Sequence, residues 1–88
     1  MNVMEIEVVN KLGLHARPAT MLVKTASQYR SKITIKKDEL AVDAKSIMGV
    51  LILAAQKGSK LILEADGPDE EEAANAIAKL FAEGFGEE

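Results

Sequence analysis

Four segments of the chain are predicted to be strands, and in the first two of them apolar and polar residues alternate, which is the pattern of a strand with one buried face. They are residues 3–9, 32–37, 40–43 and 60–66. A tight turn at residues 38–39 is expected to join the second strand to the third. The residues predicted to face the core from three of these strands are Met4, Ile6, Val8, Ile33, Ile35, Leu61 and Leu63.

Three further segments space their apolar residues as a helix does. They are residues 16–28, residues 46–55, and a segment that begins near Glu70 and is expected to end at Gly84. Serine is a favoured residue at the N-cap, so Ser46 is expected to begin the second helix. The predicted core-facing residues of the first and third helices are Ala19, Leu22, Val23, Ala26, Ala73, Ile77, Leu80 and Phe81.

The predicted element order is β-α-β-β-α-β-α, which favours an α+β fold with helices packed on one antiparallel sheet. With 88 residues, the chain is expected to form one domain, residues 1–88, around one core. Hydrophobic residues make up 48% of the chain and aromatic residues only 3%, so the core must be largely aliphatic.

Composition excludes several classes of protein. The net charge of −3 argues against a general nucleic-acid binder, and the absence of cysteine removes disulfides and thiolate metal sites. The sequence contains no cluster of metal ligands, so neither a metal nor a cofactor is expected. No apolar run approaches the roughly 20 residues of a membrane span, and the first residues lack the features of a signal peptide. The cytoplasm is the expected location.

Charge is unevenly distributed along the chain. Residues 10–37 contain no acidic side chain, whereas residues from Glu64 onward are acidic with a single base, Lys79. The basic residues of the first window are Lys11, Arg17, Lys24, Arg30, Lys32, Lys36 and Lys37. This window predicts a surface that attracts anions or acidic partners. The alternative is ordinary solvated surface charge.

The single histidine of the chain lies in the stretch LGLHARPA, where His15 directly precedes the first predicted helix. Free N–H groups of the first helical turn, the helix dipole and Arg17 together predict an anion site. This positive potential should keep the imidazole neutral and nucleophilic, as needed to accept a phosphoryl group. The alternative is a histidine that merely caps the helix beside a solvated Arg17.

The absence of several catalytic groups from the sequence limits the reactions that His15 could perform. The sequence has no second histidine and no glycine-rich phosphate-binding loop, and it predicts no carboxylate beside the ring. Such a chain could hold a phosphoryl group but is poorly equipped to take one from ATP unaided or to hydrolyse it. This combination indicates a carrier rather than an enzyme.

The segment from Ser46 to Leu53 is apolar on almost every side. One interpretation is a small exposed patch that docks partner proteins, and the other is a wholly buried helix. Periodicity leaves open which of Ile47, Met48 and Leu51 is exposed.

The run KLGLHARPA, followed about thirty residues later by KSIMGV, resembles the HPr family of histidine-containing phosphocarrier proteins of the bacterial phosphoenolpyruvate:sugar phosphotransferase system. The resemblance implies an open-faced β-sandwich, with three helices on one side of a four-stranded antiparallel sheet. It implies that His15 accepts a phosphoryl group on Nδ1 from enzyme I and passes it to sugar-specific IIA components. Arg17 would then stabilise the phosphoryl group. The residues expected to bind these partners are Thr20, Lys24, Ile47, Met48 and Leu51.

KSIMGV also resembles the form of HPr found in low-GC Gram-positive bacteria, which implies regulatory phosphorylation of Ser46 by a kinase/phosphorylase. The modified protein would then be the corepressor of a catabolite-control transcription factor. A Crh-like relative, which lacks the histidine, is excluded by His15. Two alternatives remain: a mainly regulatory module that depends on phosphoserine, and a small RNA-binding domain. The second is disfavoured by the acidic net charge and by the few aromatic residues available to stack on bases.

Overall fold

A computed structural model describes residues 1–87, so Glu88, the last residue of the predicted domain and of its acidic tail, lies outside the described residues. The predicted order of strands and helices is confirmed, with one short 3₁₀ helix added near the end. The elements are β1 (Asn2–Glu7), α1 (Ala16–Ala26), β2 (Lys32–Lys37), β3 (Leu40–Asp43), α2 (Ile47–Ile52), β4 (Lys60–Asp66), α3 (Glu70–Ala82) and the 3₁₀ turn Gly84–Gly86.

The four strands form one antiparallel sheet in the order β1-β4-β2-β3. Apolar residues stand opposite one another in the register, with Ile6 facing Leu61 and Ile35 facing Leu63. Helix α3 packs on β1 and β4, and α1 packs against both α2 and α3. The result is the α+β fold predicted from the residue pattern, in the open-faced form that the family resemblance implies.

The core lies between the sheet and the helices. Of the strand residues predicted to face inward, all are buried except Met4, which lies on the edge strand β1 and is half-buried. Among the predicted helical core residues, Val23 and Leu80 are also only half-buried. The helical residues that are buried as predicted are Ala19, Leu22, Ala26, Ala73, Ile77 and Phe81.

The first strand and the first helix each end two residues before their predicted ends. β1 stops at Glu7 rather than residue 9, although Val8 is still buried and its N–H donates to Ser59 O at 3.0 Å. α1 stops at Ala26, and the next two residues continue as a hydrogen-bonded turn. Frayed ends of this kind follow from local hydrogen bonding, which hydrophobic periodicity does not report.

The predicted extent of the second helix, residues 46–55, is wrong. α2 ends at Ile52, and Ala54 has a positive φ of 47° that breaks the helix. The chain turns there so that the carbonyl of Ala55 can accept a hydrogen bond from the N–H of Leu14, at 2.9 Å. A contact with a distant loop therefore decides where this apolar helix ends.

Asp69 connects the start of α3 to the loop between α1 and β2. Its carboxylate accepts hydrogen bonds from the hydroxyl of Ser31 and from the backbone N–H groups of Arg30 and Ser31, the latter two at 2.9 Å. The bond from the Ser31 hydroxyl, followed by that from the Arg30 N–H, lowers the pKa of Asp69 below its ordinary value. The acidic third of the sequence thus folds back onto the acid-free window.

None of the helices within residues 1–87 combines the length and the hydropathy that a membrane-spanning segment needs.

Candidate functional site

The loop before α1 is held at its base by Gly13. This glycine has a φ of +70°, in the left-handed region that favours glycine, and a Cβ there would lie 2.3 Å from the carbonyl oxygen of Ala55. The next residue, Leu14, is buried and donates its N–H to that same carbonyl. A close backbone approach therefore fixes the chain one residue before His15.

His15 occupies the N-cap of α1, as the sequence predicts, with φ −78° and ψ −171°. Its carbonyl accepts the first helical hydrogen bond, from Ala19 N at 3.0 Å. Within the described residues its ring makes no capping hydrogen bond to the helix, so the interpretation that the imidazole merely caps α1 is wrong. The side chain is 37% exposed, which leaves part of the ring open to solvent.

The first turn of α1 has two backbone N–H groups that are free to bind an anion. The N–H groups of Ala16 and Arg17 precede the first possible intrahelical acceptor, and Pro18 has no N–H at all. No acidic residue lies in this first turn, so the positive end of the helix dipole is not offset from within the helix. This much of the predicted anion site is present.

A carboxylate nevertheless lies against the ring, and the expectation that none would do so is wrong. The two side-chain oxygens of Glu87 lie 3.0 and 3.1 Å from His15 Nε2. The Nη1 atom of Arg17 lies 3.8 Å from Glu87 Oε2, with Arg17 itself 68% exposed. The hydrogen bond from His15 is the largest cause of a lowered pKa at Glu87. The surroundings of the imidazole are therefore mixed in charge rather than purely positive.

Glu87 reaches the site because the segment before it is anchored in the core. The Phe85 ring is buried and meets Phe81 edge-on at 4.9 Å between centroids, with Phe85 in a left-handed conformation of φ 56°. The N–H of Glu87 then donates to Gly84 O at 2.9 Å. One signal for this was available: Phe85 is one of only three aromatic residues and lies beyond the predicted helix end, so a buried tail was a reasonable inference.

Asn10 is a second site residue that the sequence did not indicate. It is 2% exposed, and its Nδ2 donates both to Gly13 O at 2.8 Å and to Glu87 Oε1 at 3.1 Å. Its Oδ1 has no hydrogen-bond partner in the part of the chain that the structure describes. Asn10 therefore links the loop that carries His15 to the carboxylate that contacts it.

Ser46 is the N-cap of α2, as predicted. Its Oγ accepts a hydrogen bond from Gly49 N at 3.1 Å, which satisfies one of the free donors of the first turn. The serine is half-buried, so its hydroxyl lies at the surface without being fully open to solvent.

The side chains of α2 resolve the question that periodicity left open. Val50 is fully buried, whereas Met48 is 65% exposed and Ile52 is 60% exposed. Ile47 and Leu51 are both 37% exposed, so the interpretation of α2 as a wholly buried helix is wrong.

Two further residues that are predicted to bind partners lie on α1. Thr20 and Lys24 are exposed on α1, which packs against α2, and the Thr20 hydroxyl donates to Ala16 O at 2.8 Å. Leu12, for which the sequence pattern gave no prediction, is 70% exposed in the loop before His15. We call the exposed apolar side chains of α2 the α2 patch; its members are Ile47, Met48, Leu51 and Ile52.

An open-faced sandwich that presents one imidazole at a helix N-terminus and an exposed apolar patch on a second helix belongs to the class of small phosphoryl carriers. Comparison with known proteins agrees: the family model described as "PTS HPr component phosphorylation site" matches residues 3–83. Phosphocarrier protein HPr of Treponema pallidum is 49% identical over 88 residues, which are 100% of both chains.

Solved structures give the same result. The crystal structure of HPr-C-His from Thermoanaerobacter tengcongensis has a TM-score of 0.96 and 49% identity, covering 100% of this chain and 99% of that one. Crh, the Bacillus subtilis catabolite repression protein, has a TM-score of 0.77 and 41% identity, covering 94% of this chain and 95% of its own.

The chain belongs to the HPr family. It is a phosphocarrier protein of the phosphoenolpyruvate:sugar phosphotransferase system, and its partners are other proteins of that system. It carries a phosphoryl group rather than catalysing a reaction. The membership of this family replaces the alternative hypothesis of a small RNA-binding domain.

Proposed function

We propose that the whole chain is one carrier domain in which His15 accepts a phosphoryl group from enzyme I and passes it to IIA components during sugar uptake in the cytoplasm. The observation that carries this proposal is the half-exposed imidazole at the N-cap of α1, whose ring is not used to cap the helix. It is the only imidazole in the chain, so no other histidine could serve.

The transfer needs no metal or cofactor on this chain. The lone pair of one ring nitrogen, Nδ1 by the family resemblance, attacks phosphorus as the bond from phosphorus to the donor breaks. In this proposal, the free N–H groups of Ala16 and Arg17 and the guanidinium of Arg17 bind the phosphoryl oxygens. Because Arg17 is largely exposed, its side chain is free to turn from Glu87 toward the new phosphoryl group.

The proposal is tested by incubating the protein with enzyme I, phosphoenolpyruvate and Mg²⁺ and then measuring its intact mass. We expect the mass of one phosphate to be added, in an acid-labile form, at His15. A phosphate stable to acid, or one located at another residue, would contradict the assignment.

We further propose that the α2 patch, with Thr20 and Lys24, binds enzyme I and the IIA components. Replacing Met48 with aspartate should weaken binding to enzyme I at least about tenfold, because a partner covering the patch must desolvate the new charge. Met48 is 65% exposed, so the free energy of unfolding should change by only about 0.5 kcal/mol. Titration calorimetry and thermal melting measure the two quantities.

Val3→Asp is the matched control for Met48→Asp. Val3 is 55% exposed on β1, at the opposite edge of the sheet from β3, and gains the same charge. Its affinity for enzyme I should stay within about twofold of the original protein. Equal weakening by the two substitutions would mean that net charge, rather than the patch, governs binding.

We propose that Ser46 is a regulatory phosphorylation site, modified by a kinase/phosphorylase and then recognised by a catabolite-control transcription factor. Its place at a helix N-terminus supports the proposal, since negative charge there is tolerated by the helix dipole. The structural similarity to Crh, whose name refers to catabolite repression, points the same way. A mainly regulatory function would be favoured if enzyme I failed to phosphorylate the protein.

Phosphate on Ser46 should slow phosphorylation of His15 at least about tenfold, because Ile47 and Met48 adjoin it and a docking partner must desolvate about two negative charges. Ser46→Asp, which adds about half that charge, should slow it several-fold. Aspartate also caps helices well, so this variant should melt close to the original protein.

Ser46→Ala distinguishes the effect of losing the N-cap hydrogen bond from the effect of adding negative charge at residue 46. It removes the bond to Gly49 N and should lower the free energy of unfolding by about 1 kcal/mol, yet leave the rate of His15 phosphorylation unchanged. For the aspartate and alanine variants, stopped-flow kinetics measures the rate of His15 phosphorylation, and thermal melting measures stability. Equal rates for aspartate and alanine would refute the docking argument.

A further inference from the structure

The Glu87 carboxylate meets the ring of His15 on one nitrogen only, Nε2. We propose that Glu87 is a positioning residue for phosphoryl transfer: its carboxylate holds a proton on Nε2 and thereby keeps Nδ1 free as the nucleophile. This inference rests on the proposed function of His15 and adds to it a residue 72 positions away in the sequence.

The hydrogen-bonding roles of the Glu87 carboxylate and of the two ring nitrogens determine which nitrogen of His15 carries the proton. An ionised carboxylate only accepts hydrogen bonds, so the short contacts to its oxygens require Nε2 to be the donor. In a neutral imidazole, a proton on one nitrogen leaves the lone pair on the other. The hydrogen bond from His15 is the first cause of the lowered pKa of Glu87, and the hydrogen bond from Asn10 and the positive charge of Arg17 lower this pKa further, so the carboxylate is ionised at neutral pH.

The carboxylate is held in place by several independent contacts. Its side chain is 13% exposed, far less than that of a solvated tail residue. The buried Asn10 donates to it, the backbone of Glu87 is bonded to Gly84, and Phe85 anchors the segment in the core. A group fixed by these contacts can hold the ring in one orientation and one tautomer, as a carboxylate partner of a catalytic or metal-bound histidine does.

The arrangement makes both transfer steps possible without moving a proton. On entry, the Nδ1 lone pair bonds to phosphorus, and the bond from phosphorus to the donor breaks with its electron pair on the donor. The ring then carries phosphorus on Nδ1 and hydrogen on Nε2, a cation that faces Glu87. On exit, the Nδ1–phosphorus bond breaks and its electron pair returns to Nδ1. The leaving group is a neutral imidazole instead of the much poorer imidazolate.

The protonation of the phosphorylated ring is set by opposing charges. Of the residues described, two charged side chains lie against the ring or its partner: Glu87 from the segment after α3 and Arg17 from α1. Arg17 and the dipole of α1 disfavour the cation, and the neutral Asn10 contributes no charge. Glu87 is therefore the group that keeps the proton on the phosphorylated ring.

The test uses nitrogen-15 NMR of the His15 ring in the full-length protein and in variants. Glu87→Ala removes the acceptor, and Glu87→Gln keeps an acceptor oxygen without its charge. Glu83→Ala is the matched control, since Glu83 is an exposed carboxylate four residues earlier in the same segment. Melting temperatures confirm that each variant is folded.

In the unphosphorylated protein, the neutral ring should be almost wholly the Nε2–H tautomer, and Glu87→Ala should give a mixture of tautomers. After phosphorylation by enzyme I, Glu87→Ala and Glu87→Gln should lower the titration midpoint of the phosphohistidine ring by at least about 0.5 pH unit, a roughly threefold shift in its protonation equilibrium. Glu83→Ala should match the original protein in both measurements.

The outcomes separate this inference from the proposed function. If the original protein gains no phosphate at His15, the proposed function fails, and the role of Glu87 in transfer fails with it. If His15 is phosphorylated but the Glu87 and Glu83 variants have equal midpoints, only the role of Glu87 is overturned. A neutral ring of the original protein with its proton on Nδ1 would also overturn it.

Discussion

Replacing His15 with alanine is expected to abolish acid-labile phosphorylation by enzyme I while leaving the protein folded. His15 is the only imidazole of the chain, so no second ring can accept the phosphoryl group. Its side chain is 37% exposed and does not cap α1, so the change in the free energy of unfolding should stay below about 1 kcal/mol. Intact mass after incubation with enzyme I and phosphoenolpyruvate, together with thermal melting, measures both effects.

Arg17→Ala is the control for that experiment, because it alters the same surface and keeps the nucleophile. The Arg17 variant should gain its phosphate more slowly than the original protein but to the same final extent. Acid-labile phosphate retained by the His15 variant would show that another residue is the acceptor. A phosphate-free Arg17 variant would mean that loss of phosphorylation does not identify the nucleophile.

Replacing Gly13 with alanine is expected to destabilise the protein by about 2–4 kcal/mol. A non-glycine residue in the left-handed region costs about 1–3 kcal/mol, and loss of the hydrogen bond from Leu14 to Ala55 adds about 1 kcal/mol. The new Cβ would lie 2.3 Å from the Ala55 oxygen, so one of the two backbone segments must move. Each 1 kcal/mol should lower Tm by about 4–8 °C in a domain of this size.

Gly58→Ala is the control that distinguishes the cost of the close approach between Gly13 and Ala55 from the cost of a positive φ. Gly58 also has a positive φ, +91°, but among the described residues other than Gly58 and its two chain neighbours, no atom lies within 4 Å of the place that its Cβ would take. Its substitution should destabilise the protein by only about 1–2 kcal/mol. Equal losses of stability in the two variants would show that the approach of Gly13 to Ala55 contributes little.

Strand and helix positions could be predicted because their signals are local. Alternation in KITIKK and KLILEAD describes one buried face of the sheet, and the sheet uses that face as predicted. The same local signal overextended α2, since residues 53–55 are as apolar as the helix before them. Leu53 is indeed buried, but in the turn after the helix rather than within it.

Exposure of the α2 patch depended on tertiary packing. A short helix that is apolar all round can lie on the core along several of its sides with similar burial, so the sequence leaves its rotation about its own axis undetermined. Packing against α1 and β3 buries Val50 and leaves Met48 outside. That choice decides which side chains are available to a partner protein.

The sequence by itself determined the fold class, the placement of His15 at a helix N-terminus, the cap at Ser46 and the family resemblance. Each depends on residues within a few positions of one another, where spacing is enough to predict structure. Only the tertiary structure brought Glu87 to His15, across 72 positions of sequence. That contact depends on the burial of Phe85 and on the bond from Asn10, which together direct the tail to the ring. Hydrophobic periodicity carries no information about such a contact, because it follows from how the packed elements meet rather than from any repeat along the chain.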